Sequence, residues 1–169
     1  MKTIGSDIFF RDFIPKTEFQ HKPLIIGWDL HTPENVGSLI RLGGNIGCEK
    51  VIIVSEMSHR KTSIRYTAST AFDKVNWEYC TKDQWRSLIP HDYKVIAIET
   101  AEGARDLFTA ELPVKAAFMV GSERFGLPAD VIEKCDMAVY IPVFGNVNSL
   151  NVSNSLAVVL FEWARQMKY

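Results

Sequence analysis

The chain has 169 residues, 47% of them apolar and 23% charged, with a formal net charge of −1. Such a composition fits one globular domain long enough to bury a core, and excludes a disordered or fibrous chain. The near-neutral balance excludes a global field that gathers nucleic acid, so any such contact must use a local basic patch. Candidate patches are His59, Arg60 and Lys61 with Arg65, and Arg11, Lys16 and Lys22 nearer the start. Cys48, Cys80 and Cys135 form no C-x-x-C pair, and His21, His31, His59 and His91 lack ligand spacing. Neither a metal site nor a disulfide framework is expected. With no apolar leader and no run of membrane-spanning length, the chain is expected to be cytoplasmic, without a membrane partner.

The first clear element is the apolar run 24–28, bounded by Pro23 and Asp29, which predicts a buried strand. A loop over 31–35 leads to a helix predicted from Val36 to about Ile46, with Val36, Leu39, Ile40 and Leu42 on one broad face. Gly43, Gly44 and Gly47 weaken its far end or permit close backbone packing. A second strand is predicted at 50–55, a poorly patterned helix at 63–71, a short alternating strand at 75–79 and a brief helix at 83–88. Further strands follow at 94–98 and 115–120, then a helical turn or two at 129–134. Strands alternating with helices imply an α/β fold with a mostly parallel sheet and helices on both faces.

The C-terminal stretch carries the densest signal. An apolar run from Met137 to Ile141 stops at Pro142, which lacks a ladder donor. A polar loop follows, with Asn148, Ser149, Asn151, Ser153 and Asn154 crowded into seven positions, and then a helix with Leu156, Val159, Leu160 and Trp163 on one face. Ser149, Asn151 and Ser153 are each candidate N-caps, but capping needs only one of them. Three segments at strand ends, read as loops, hold polar clusters without an obvious folding role: 35–41, 121–128 and 145–153. In parallel α/β folds that end of the sheet binds ligands. Gly121, directly after a strand, would let a ligand approach the backbone closely. No G-x-G-x-x-G follows the first strand and no phosphate-loop motif is present, so Glu56 beyond the second strand is a weak mimic of a ribose-binding acid.

The three clusters resemble the three signature motifs of the SpoU–TrmH family, RNA ribose 2′-O-methyltransferases of the SPOUT superfamily. The first, Asn35 through Arg41, has an Asn and an Arg six residues apart; the second, Gly121 through Pro128, has Gly, Glu and Gly-Leu in register. The third runs from Ile141-Pro142 through Ser149, Leu150, Asn151 and Ser153, so the likeness spans roughly residues 24–166. It implies a single SPOUT domain over 1–169 without a separate RNA-binding domain, and a C-terminal trefoil knot, which no pattern rule would suggest. It also implies S-adenosyl-L-methionine as cofactor, held by Ile98, Thr100, Gly121, Ile141 and Leu150, with tRNA or rRNA as substrate. Short members of similar size modify the tRNA wobble nucleotide.

Arg41 is the leading catalytic candidate, with Asn35, Glu123, Ser149 and Asn151 beside it. The family's arginine is often described as the base for the ribose hydroxyl, but a guanidinium with a pKa above about 12 is a poor base. A clamp on the neighbouring phosphate and the developing 2′-oxygen charge suits it better. Asn35 and Glu123 are expected to orient it, Ser149 and Asn151 to position ribose or cofactor, and Arg124 and Phe125 are candidates to meet RNA. The run 156–161 is apolar on every side, which with the resemblance predicts a homodimer through the last helix, anchored by Trp163. The competing readings are a dinucleotide enzyme, disfavoured by the missing glycine fingerprint, and a non-catalytic RNA-binding or assembly protein on the same fold.

Overall fold

A computed structural model describes residues 3–12 and 18–168; Lys16, one of the basic candidates, lies outside them. Helix α1 (Ser6–Asp12) precedes strand β1 (Leu24–Trp28), helix α2 (Pro33–Ile46) and strand β2 (Lys50–Val54). Helices α3 (Lys61–Ala68) and α4 (Ala71–Lys74), strand β3 (Trp77–Cys80) and a 3₁₀ turn (Trp85–Leu88) follow. Strands β4 (Lys94–Ile98), β5 (Arg105–Asp106) and β6 (Ala116–Val120), helix α5 (Ala129–Ile132), strand β7 (Met137–Tyr140) and helix α6 (Val152–Lys168) complete the order. The seven strands form one sheet in the order β3-β2-β1-β6-β4-β7-β5, with every neighbouring pair parallel.

Continuous apolar strands are what a sheet buried on both faces requires. On β1, Ile25 packs toward Val36, Leu39 and Ile40 of α2 and Leu156, Val159 and Leu160 of α6. Leu24, Ile26 and Trp28 face the opposite layer, with Trp85, Ile89, Leu127 and Val131. The cover is uneven. The long helices share the first face, while the second is closed by the 3₁₀ turn and the single turn of α5.

Several boundaries differ from the sequence expectation for local reasons. Helix α2 starts at Pro33, because Thr32 caps it, accepting from the Asn35 N–H at 3.3 Å, and proline fits the first helical position. Residues 35–41 are therefore helix and not a loop. The left-handed conformation of Gly47 (φ 69°) ends α2, its N–H donating to the Gly43 carbonyl. The helix expected at 63–71 is divided at Ser69 (φ 55°) into α3 and α4. Helix α1 buries no residue and β5 is two residues long, so neither leaves a core-facing pattern in the sequence.

Trp163 is fully buried within the chain. Its indole N–H donates to the Pro113 carbonyl at 2.9 Å, and the rings of Phe19 and Phe118 lie 4.7 and 6.2 Å away. The expectation that it anchors an interface is overturned, since the monomer core consumes the whole side chain. What α6 leaves uncovered is Phe161, exposed, with half-buried Ala157 and Val158.

Candidate active site

Because β1, β6, β4 and β7 are parallel neighbours, their C-terminal ends open along one edge, where the loop preceding α6 also lies. Two adjoining hollows, of about 410 and about 130 Å³, share Ile98, Glu99, Ser149, Leu150 and Ser155 as lining. Gly121, Ser122 and Glu123 wall the larger; Thr100 and Ile141 wall the smaller. The trough thus gathers all five residues expected to hold a cofactor: Ile98, Thr100, Gly121, Ile141 and Leu150.

Gly121, which walls the trough, is also required by the loop's own packing. A Cβ there would stand 2.1 Å from the Gly126 carbonyl carbon and 2.4 Å from the Leu127 nitrogen. The close approach is made by the chain's own backbone, where the loop folds back through paired hydrogen bonds between Ser122 and Gly126 at 3.2 and 3.0 Å. Gly126 in turn has φ +64° and lies against Glu99.

Glu123 knits the β6 loop to the start of α2. Its carboxylate accepts from the His31 N–H at 2.8 Å, the Thr32 hydroxyl at 3.0 Å and the Asn35 amide at 2.6 Å. Burial alone would raise this carboxyl, but the bonds from Asn35, His31, its own backbone and Thr32 outweigh burial and hold it down at about 2. Asn35, itself buried, accepts from the Asn151 amide at 3.4 Å. The other side of Asn151 caps α6, its oxygen accepting from the Ser153 N–H at 2.9 Å. Of the three candidate caps, Asn151 is the one used, leaving Ser149 exposed beside both hollows. Asn35, Glu123 and Asn151 are thereby joined in one network.

Arg41 stands apart. It is exposed, has no hydrogen bond or ion pair among the described residues, and lines another hollow of about 650 Å³ with Lys22, Lys74 and Cys48. That hollow is the larger, but it sits where α2 ends and β2 has yet to begin, away from the strand ends that collect the polar clusters. Burial pushes the Cys48 thiol up to about 12 and those of Cys80 and Cys135 to about 11, so none is a poised nucleophile. Among the basic candidates, Arg65 is paired with Asp73 and Arg11 with Asp12, while Arg60 and Lys61 are exposed with no ion pair among the described residues.

Two residues do more than the sequence reading gave them: Glu99 falls inside the stretch 98–100 that the resemblance offers to the cofactor, and His59 is one of the basic candidates. Glu99, just past β4, accepts from the Leu127 N–H at 2.9 Å and the Thr100 N–H at 3.0 Å, fixing the β6 loop from below. Its position directly after a predicted strand was the available signal. His59 lies 3.1 Å from the Tyr79 hydroxyl through Nδ1 and 3.1 Å from the His31 carbonyl through Nε2. An Nε2–H tautomer satisfies both contacts, donating to His31 and accepting from Tyr79.

A model of the SpoU rRNA Methylase family matches residues 23–161. The chain belongs to that family. It is 32% identical over 148 residues to the 23S rRNA (guanosine-2′-O-)-methyltransferase RlmB of Neisseria meningitidis serogroup B, covering 85% of this chain and 59% of that one. To the tRNA (guanosine(18)-2′-O)-methyltransferase of Thermus thermophilus it is 28% identical over 144 residues, covering 82% and 72%. The fold matches an AdoMet-bound rRNA methyltransferase from Sinorhizobium meliloti with a TM-score of 0.80 at 21% identity, over 90% of this chain and 60% of that one. It also matches a structure solved to explain 2-OH methylation of C/U34 on tRNA, with a TM-score of 0.77 at 21% identity, over 86% and 96%. The chain spans about three-fifths of the length of the Neisseria relative, and nearly the whole of the C/U34 protein. The two solved structures share the fold of this chain.

Proposed function

We propose that this chain is an S-adenosyl-L-methionine-dependent RNA methyltransferase that modifies a ribose 2′-hydroxyl of tRNA or rRNA in the cytoplasm. The observation that carries this is the joining of Asn35, Glu123 and Asn151 beside a trough that Ile98, Gly121, Ile141 and Leu150 line. Relatives of the family are named for 2′-O transfer to rRNA and tRNA, and one neighbour binds AdoMet.

The trough suits the cofactor chemically. Ile98, Ile141 and Leu150 offer an apolar wall for an adenine, while Ser149, Thr100 and the strand-end backbone offer polar partners for ribose and amino acid. When bound there, S-adenosyl-L-methionine supplies an electrophilic methyl group on a sulfonium. The chain's own work is to hold the attacking oxygen in line and stabilise its charge. Asn35, Glu123 and Asn151 lock the loops, Ser149 meets ribose or cofactor, and Arg41 clamps the adjacent phosphate and the developing oxyanion.

Arg41 is not among the residues lining the trough, and in this reading a second copy supplies the clamp. A homodimer packed on α6, with Phe161 at its contact, provides that copy. A trefoil knot in the C-terminal chain accords with β4 lying between β6 and β7 in the sheet. The test is transfer of labelled methyl from the cofactor to total tRNA and rRNA, with mapping of the product. Label on a ribose 2′-oxygen is expected; RNA binding without transfer would point instead to a non-catalytic RNA-binding protein.

A further inference from the structure

Phe125 is 72% exposed on a loop that is otherwise closely tied down. Its N–H donates to the Ser122 hydroxyl at 3.2 Å, the Ser122–Gly126 pair closes the turn, and Leu127 is buried below with its N–H on Glu99. The ring lies outside the buried core, to which Leu127 supplies the loop's apolar contact. Nearby groups frame it. The Arg124 guanidinium carbon is 5.2 Å from its centroid, and the His31 ring is 6.3 Å away at an interplanar angle of 60°. The His31 carbonyl is bound by His59, next to which stand Arg60 and Lys61 without ion pairs among the described residues. The carboxylate of the same loop, Glu123, is already engaged by His31, Thr32 and Asn35.

An exposed aromatic face beside a guanidinium and an imidazole ring is the chemistry that takes an unpaired nucleobase and its phosphate. Gly121, Ser122 and Glu123 of the same loop wall the trough, so a base on Phe125 belongs to a nucleotide next to the one being modified. We infer that Phe125, with Arg124 and His31, forms a stacking platform for an unpaired base flanking the target ribose. It rests on the RNA methyltransferase function proposed above, and it adds a requirement: the flanking nucleotide must be free of a duplex.

The probe is a short RNA hairpin whose unpaired loop carries 2-aminopurine, compared with a fully paired duplex of matching sequence. Wild-type protein is expected to bind the hairpin more tightly and quench the loop fluorophore. Phe125→Ala should weaken hairpin binding about fivefold or more, leave duplex and cofactor binding unchanged, and abolish the quench. Phe125→Trp should restore both. Arg124→Ala should flatten the salt dependence by roughly one phosphate contact. Undiminished hairpin affinity in Phe125→Ala, an equal loss on hairpin and duplex, or a changed oligomer mass in that variant would overturn the platform. So would a wild-type protein that binds neither RNA. Stacking by a wild-type protein that never transfers a methyl group supports the platform and removes the enzyme function. Transfer by the wild type with an unchanged KM for the hairpin in Phe125→Ala does the reverse.

Discussion

Asn35 donates to Glu123 at 2.6 Å and takes a bond from Asn151 at 3.4 Å, roles that need an amide with one donor end and one acceptor end. Aspartate has the same shape and none of the donors, so Asn35→Asp sets two carboxylates against each other. The expected loss is about 2 kcal/mol at neutral pH, a fall in Tm of about 4–8 °C for a chain of this size. The pH dependence separates charge repulsion from lost packing. Repulsion raises the pair's proton affinity, so the Tm gap to wild type should narrow as pH falls below about 5. A gap constant across pH would mean that charge has no part in it. In the wild type the sign is opposite. Glu123 sits at about 2 against an ordinary 4.5, so its stabilising contribution is complete above about 4.5 and is lost as pH falls toward 2. The carboxylate is partly solvent-exposed, which screens and shrinks that contribution. Thermal melts of wild type and Glu123→Gln should therefore converge at low pH; parallel curves would deny Glu123 this role.

At the scale of elements, the β6 loop packs on its own backbone. Gly121→Val drives a side chain into the Gly126–Leu127 backbone, so it is expected to cost about 2 kcal/mol or more and to lose cofactor binding with the fold's stability. Ser149→Trp, at an exposed position beside both hollows, should lose binding while keeping the wild-type Tm. Calorimetry with S-adenosyl-L-methionine beside thermal melts reads both; a Gly121→Val protein with wild-type Tm would refute the self-contact. The same distinction explains what the sequence made legible. Runs such as 24–28 and 116–120 announce strands because burial on both faces forces them apolar. The polar clusters announce the site because folding alone does not demand them. The loop expected over 31–35 hides the start of α2, since the place of Pro33 as first helical residue depends on the Thr32 cap. The bracing role of Glu99 is silent because it lies in a backbone N–H 28 residues away, at Leu127. Trp163 is ambiguous, because an apolar helix face looks the same whether its cover is Phe118 or another chain.

At the scale of the molecule, Arg41 and the trough are lined by disjoint sets of residues, and α6 leaves Phe161 in solvent. A homodimer accounts for both if each trough is completed by the partner's arginine. Light scattering should then show a mass near twice 19.2 kDa, and Phe161→Glu should shift it toward the monomer with loss of transfer. Mass alone cannot say whose arginine serves which trough, but mixed dimers can. Arg41→Ala homodimers keep both troughs and lack both clamps; Ser149→Trp homodimers keep both clamps and have both troughs filled. Each preparation alone should be inactive. If Arg41 acts across the interface, a dimer of one subunit of each kind pairs the open trough with the intact arginine. Random reassortment makes half the dimers mixed with one working site apiece, so activity should return to about a quarter of wild type. If Arg41 acts within its own subunit, the mixed dimer has no complete site, and the mixture stays as inactive as its parts.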